Sequence, residues 1–147
     1  MIPLFIITGA AFLWAGCIIA ISFMEAWLKF RAPGVSVSIG LGIGKLVFAA
    51  LNKMEWVFAA LIIICYLFNY KAINASVIIW FAISAGILLL QTIWLLPALD
   101  TRAAAVIKGE TVQPSSLHYY FVFAEFLKIV ALIMMAWHLY KVPFIAA

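Results

Sequence analysis

Four ionisable residues interrupt otherwise apolar stretches of this sequence. Lys53 and Glu55 stand just before a long uncharged run in the second apolar segment, and Glu125 and Lys128 lie within the fourth. A charged side chain at the centre of a membrane-spanning helix costs at least about 2.5–3.5 kcal/mol on insertion scales, so it marks a function or an ion pair by default. Each segment supplies one acid and one base, which favours pairing between segments.

The depths predicted for these residues agree. A helix rises about 1.5 Å per residue, which puts all four of them about 10–16 Å inside the membrane. Gln91, in the third apolar segment, reaches a similar depth of about 9 Å. We therefore expect one intramembrane polar layer in which Lys53 and Glu55 pair with Glu125 and Lys128. Such a layer is either a salt-bridge lattice that fixes helix packing or a polar pocket or ion path.

Further charged residues are predicted at the membrane boundary. Glu25 and Lys29 are one helical turn apart at the end of the first apolar segment, a spacing that allows an ion pair. Asp100 and Arg102 follow the third apolar segment. We interpret all four as boundary residues of the helix ends.

The two histidines suggest an alternative, a haem site. Membrane cytochromes hold haem with helical histidines. His118 and His138 are 20 residues apart on one segment, which is about 30 Å along a helix, so one haem cannot join them within a single chain. Mixed His–Met ligation, a haem shared with another subunit or a quinone-associated redox role stays open. We predict no cofactor and no metal, and we interpret both histidines as interfacial.

The elements that position these residues are predicted to be transmembrane helices. Apolar residues make up 69% of the chain and charged residues 10%, whereas soluble domains contain about 25% charged residues. A spanning helix needs about 20 mostly apolar residues. The sequence therefore predicts an all-α fold, a single four-helix transmembrane domain over residues 1–147, with helices at about 4–27, 46–69, 73–97 and 117–140.

Helix-breaking residues separate these segments. Pro33 disfavours helix in the residue before it and so ends the first helix. The stretch 36–44 contains Gly40, Gly42 and Gly44 and predicts a short interfacial or re-entrant piece. Residues 68–71 predict a tight aromatic turn.

The distribution of Lys and Arg predicts the orientation. The first connection contains Lys29, Arg31 and Lys45, and the third contains Arg102 and Lys108, whereas the second connection and the C-terminal tail contain one each. Cytoplasmic loops of membrane proteins carry an excess of these residues. We therefore predict that both termini are non-cytoplasmic, in a bacterial inner (plasma) membrane.

Short motifs resemble those of a known family. Residues 22–30 read SFMEAWLKF, residues 44–48 read GKLVF, and residues 91–97 read QTIWLLP before Asp100 and Arg102. In this order they resemble the transmembrane-protein-205-like family of small four-helix membrane proteins and, more distantly, the anthrone-oxygenase-like membrane family. The resemblance implies a fold rather than an activity. The chain departs from both families at Trp27, where they would have a proline.

Three functions are compatible with these features. We favour a non-enzymatic subunit or accessory protein of a membrane assembly, because the loops are too short for a soluble domain and no catalytic constellation is visible. The alternatives are a small transporter or ion-path component that uses the polar layer, and a haem- or quinone-associated redox subunit. The expected partners are the lipid bilayer and other membrane subunits or further copies. Nucleic acid is excluded, because the nine Lys and Arg residues are scattered.

Overall fold

Four long helices make up nearly all of the computed structural model, which describes residues 2–69 and 73–141. They are α1 (Pro3–Arg31), α2 (Val37–Asn69), α3 (Ala75–Ile107) and α4 (Leu117–Lys141). All four are long and apolar enough to cross a membrane, and the described residues contain no strand. The chain is therefore an integral membrane protein with an all-α four-helix fold, and the predicted fold class is confirmed.

The helices form a closed ring. Helix α1 packs against α2, α2 against the C-terminal half of α3, α3 against α4, and α4 against α1. The connections 32–36 and 108–116 are short, so consecutive helices run antiparallel. We call the end of the bundle that carries these two connections the basic end, because Lys29, Arg31 and Lys108 lie there.

The helices extend further at the basic end than the sequence predicts. Helix α2 begins at Val37 rather than near residue 46, so the stretch 36–44 is helical and the expected interfacial or re-entrant piece is wrong. The Ser36 hydroxyl accepts a hydrogen bond from the Ile39 amide at 3.3 Å and so stabilises this start. Helix α3 continues beyond the span predicted at 73–97 to Ile107, in agreement with the expectation that residues after Asp100 prolong it by a turn or two. The predicted turn at 68–71 falls partly outside the described residues.

The turn between α1 and α2 depends on two glycines. Helix α1 ends at Arg31, Ala32 is extended, and Gly34 adopts a φ of 82° that favours glycine. A Cβ added to Gly40 would overlap the ring of Phe30. The missing side chain therefore lets the end of α1 fold back onto the first turns of α2.

Two helices contain π-helical segments, Ile19–Glu25 in α1 and Gln91–Leu95 in α3. The second has a local cause, because Pro97 lacks the N–H that would bond to the carbonyl of Ile93 and its ring crowds that carbonyl. A wider turn accommodates both effects. Such segments frequently occur at functional sites, and buried Gln91 begins this one.

The interior is mostly apolar. The larger cluster extends from the middle of the bundle away from the basic end and includes Trp14, Leu132 and Met135, all fully buried. A smaller cluster around Leu95 and Phe121 fills the basic end. Many large apolar side chains lie exposed on the outer faces, where lipid rather than water is the favourable solvent for them.

Candidate functional site

A charged side chain lies at the centre of the bundle. Lys128 on α4 is fully buried. Its Nζ atom forms an ion pair with Oε1 of Glu55 on α2 and lies 3.2 Å from Oε2 of Glu125, one turn earlier on α4. The same ammonium donates a hydrogen bond to Oε1 of Gln91 on α3. Three helices therefore meet at one lysine.

Helix α1 contributes through an indole. Trp14 Nε1 donates a hydrogen bond of 2.8 Å to Oε1 of Glu55, and its ring stacks on Phe58 with a centroid distance of 6.5 Å. We call Trp14, Glu55, Gln91, Glu125 and Lys128 the central cluster; each of them is at most 2% exposed. Sequence reasoning missed Trp14, although a buried indole N–H needs an acceptor and so points to a polar partner on another helix.

The central cluster lies deep in the predicted hydrocarbon layer. Gln91 is the middle residue of Ala75–Ile107. At a rise of about 1.5 Å per residue, Gln91 is about 13 Å from Asp100 and Glu55 is about 15 Å from Lys45, the nearest boundary charges on their helices. The four residues of the expected polar layer that the structure brings together are Glu55, Gln91, Glu125 and Lys128.

Lys53 does not join them. Its side chain is exposed on α2, so the expected pair between Lys53 and Glu125 is wrong and Lys128 contacts Glu125 instead. The reason is helical geometry: residues two apart point about 200° from each other, and Lys53 cannot share the face of Glu55.

Three polar atoms of the central cluster have no hydrogen-bond partner within the described ranges. They are both carboxylate oxygens of Glu125 and Nε2 of Gln91. The contact between Lys128 and Glu125 meets the distance of an ion pair but not hydrogen-bond geometry. Leaving a buried polar atom unpaired costs about 1–3 kcal/mol. Glu125 is therefore the least satisfied member of the cluster.

The chain matches no family model, no curated protein and no solved structure. The resemblance to the transmembrane-protein-205-like family stays a prediction, and the site is interpreted from its own geometry.

A second polar contact ties α2 to α3 beside the central cluster. The hydroxyl of Thr92 accepts hydrogen bonds from Asn52 Nδ2 at 2.9 Å and from Trp56 Nε1 at 3.0 Å, and donates to the carbonyl of Leu88 at 2.8 Å. Thr92 directly follows Gln91 in the π-helical segment. Sequence reasoning missed this group, although Asn52 and Thr92 are polar residues in apolar segments.

Apolar residues separate the central cluster from two cavities of the described structure. A cavity of about 310 Å³ lies towards the end opposite the basic end and is lined by apolar side chains such as Ile7, Ile62 and Met135. One of about 140 Å³ lies at the basic end, where Phe48 packs edge-to-face on Phe121 at 5.3 Å. Neither cavity is lined by a member of the cluster.

The boundary residues lie at the basic end. Lys29 and Glu25 form the ion pair that their spacing predicts, at 3.2 Å. Asp100 lines the smaller cavity with Lys29 and Lys45. Arg102 turns away and donates to the backbone carbonyl of Gln113. Arg102 therefore ties α3 to the connection 108–116, and all four residues lie at the basic end rather than beside Lys128.

The histidines lie at the two ends of α4. His118 is exposed at the basic end, beside the ring of Tyr119, and His138 is half-buried near the other end. Within the part of the chain that the structure describes, no three His, Cys, Asp or Glu side chains converge as a metal site would require. The expectation of no cofactor stays a prediction.

Proposed function

We propose that this protein is a non-enzymatic subunit or accessory protein of a membrane assembly, and that the central cluster serves to fix the packing of its four helices. The proposal rests on the observation that this cluster is closed to solvent. Each helix contributes at least one polar side chain to it, and every member is at most 2% exposed.

The closure favours packing over catalysis or transport. A catalytic site needs access for its substrate, and an ion path needs polar or open space on both sides of its charges. In the described structure Leu132 and Met135 lie buried on the side of the central cluster away from the basic end, and Leu95 and Phe121 lie on the side towards it. Buried polar contacts between helices are known to specify register and partner choice.

The outer surface supports a role among other membrane components. Large exposed apolar residues occur on all four helices, for example Phe12, Val57, Ile93 and Phe123. The connections 32–36 and 108–116 are too short to form a separate soluble domain. The proposed partners are lipid and other membrane subunits or further copies of the chain, in the inner (plasma) membrane of a bacterium.

The packing role is tested by removing the ammonium and then all three ionisable groups. Lys128→Met leaves Glu55 without its counter-ion, and breaking a buried pair in this way typically costs about 3–5 kcal/mol. We expect a clear loss of thermal stability in detergent. Adding Glu55→Leu and Glu125→Leu should recover much of the loss, because no orphan charge remains. The matched control is Lys53→Met, which should not lower stability, because Lys53 is exposed and its removal leaves no buried carboxylate without a cation.

Equal stabilities of Lys128→Met and Lys53→Met would contradict the packing role. The subunit role is tested separately, by native mass measurement of the protein extracted in mild detergent. We expect a complex larger than one chain, and we expect the apolar triple variant to enter it as well. A monomeric wild type, together with ion flux in reconstituted vesicles that Lys128→Met abolishes, would replace this proposal with the ion-path function.

A further inference from the structure

The central cluster contains one more carboxylate than ammonium. Helix α2 presents Glu55, and α4 presents Glu125 and Lys128, whereas α1 presents Trp14 and α3 presents Gln91, neither of which carries a charge. These three are the only buried side chains of Asp, Glu, Lys, Arg or His among the described residues. With both carboxylates ionised, the cluster would therefore hold one uncompensated negative charge in a site that excludes water.

Burying such a charge has a high free-energy cost. The effective penalty for burying an ion in a protein is still several kcal/mol after relaxation, and attraction to one cation repays it for one partner only. A buried carboxylate that lacks its own counter-ion takes up a proton instead. Lys53 on α2 is only two residues from Glu55, but its side chain is exposed on another face of the helix. The nearest boundary charges of α2 and α3 are about 13–15 Å away along the helices, too far to compensate the buried charge.

The contacts distinguish the two carboxylates. Glu55 accepts the hydrogen bond from Trp14 Nε1 and forms the ion pair with Lys128, and charge-assisted contacts of this kind stabilise an ionised carboxylate. Glu125 lies 3.2 Å from the Lys128 ammonium, but neither of its oxygens meets hydrogen-bond geometry with a described residue. A proton on Glu125 would also turn one of its two unpaired acceptors into a donor.

We propose that the central cluster is a proton-binding site, in which Glu125 holds one proton beside the Glu55–Lys128 ion pair. This goes beyond the packing role, because it assigns a ligand to the cluster and a different charge to each carboxylate. It depends on the charge count and contacts alone, so it stands or falls independently of the subunit role.

Infrared spectroscopy of the full-length protein tests the proposal directly. A protonated carboxyl has a carbonyl stretching band that a carboxylate lacks, and a detergent without ester groups leaves this region clear. The chain has only five acidic residues, so the band can be assigned by single substitutions. We expect one band at neutral pH in the wild type, its loss in Glu125→Gln, and its retention in the control Glu110→Gln, which alters an exposed glutamate.

Two further variants keep the test decisive. Lys128→Met removes the only cation of the cluster, so Glu55 should also take up a proton and the band should about double. Glu125→Gln replaces one neutral group with another and should leave the melting temperature close to that of the wild type. In Glu55→Gln only one carboxyl remains beside Lys128, at 3.2 Å, so Glu125 should give up its proton and the band should disappear. A wild type without the band, or a band that survives Glu125→Gln, would overturn the proposal.

Discussion

At the scale of single residues, the polar side chains of the central cluster find partners on other helices. The indole N–H of Trp14 on α1 bonds to Glu55 on α2, and Lys128 on α4 bonds to Gln91 on α3. In a low-dielectric interior each such bond is stronger than in water, and each missing partner is more costly. The bond from Trp14 also restrains the carboxylate that holds Lys128.

We expect Trp14→Phe to destabilise the protein by about 1–3 kcal/mol beyond the effect of lost volume, because Glu55 loses its donor in a buried site. Phenylalanine retains a ring that can pack on Phe58. The matched control is Trp94→Phe, since Trp94 is exposed. Thermal unfolding in detergent measures both. If Trp14→Phe remains equally costly in a Glu55→Gln background, the two residues are not coupled and the assigned bond is wrong.

At the scale of elements, the first turns of α2 contain glycines, which lower the helix propensity but allow close contact with the end of α1. Glycine in a helix interior costs about 1 kcal/mol relative to alanine. Gly40 nevertheless lies where the Phe30 ring covers the helix, and Gly44 lies against the Lys29 side chain, whose Nζ atom would be 3.1 Å from an added Cβ. These contacts fix the end of α1 on α2 and explain why the stretch 36–44 is a packed helix.

Gly40→Ala should destabilise the protein by about 1–3 kcal/mol, the usual cost of overpacking, because its methyl group would overlap the ring of Phe30. Gly42→Ala is the matched control, because a Cβ there meets no described atom within 4 Å; it should be neutral or stabilise by up to about 1 kcal/mol. Adding Phe30→Ala should relieve the loss in Gly40→Ala. Similar melting temperatures for the two glycine variants would show that the ring lies elsewhere.

At the scale of the whole molecule, the basic side chains are concentrated at one end of the bundle, and apolar side chains cover the sides of the helices. Lys29, Arg31, Lys45, Arg102 and Lys108 all lie towards the basic end. The long outer surface of the four helices is apolar. This asymmetry is what the positive-inside rule uses, so we predict that the basic end faces the cytoplasm.

Cysteine labelling in intact cells tests this orientation. In a background with Cys17 and Cys65 replaced by alanine, an impermeant thiol reagent should label Ala75→Cys and should leave Ser36→Cys and Gln113→Cys unlabelled. All three positions are exposed at helix ends or in loops. Labelling after permeabilisation shows that each cysteine is reactive. The reverse pattern would put the basic end outside the cell.

The sequence by itself determined the number, type and approximate limits of the elements. A backbone in lipid must satisfy its own hydrogen bonds, so each long apolar run has to be a helix. The ends of the helices are also determined by nearby residues: Pro33 follows the end of α1, and α4 begins at Leu117. The sequence also indicated Glu55, Gln91, Glu125 and Lys128 as neighbours, because matching depth follows from residue count alone.

Only the tertiary structure decided which faces of the helices meet. In a soluble protein, apolar periodicity identifies the buried face of a helix. A helix that is apolar all round carries no such signal, since lipid and core accept the same side chains. The sequence therefore could not separate buried Lys128 from exposed Lys53, nor assign Trp14 to Glu55. Those assignments depend on rotation of each helix about its axis, which packing against the other three alone determines.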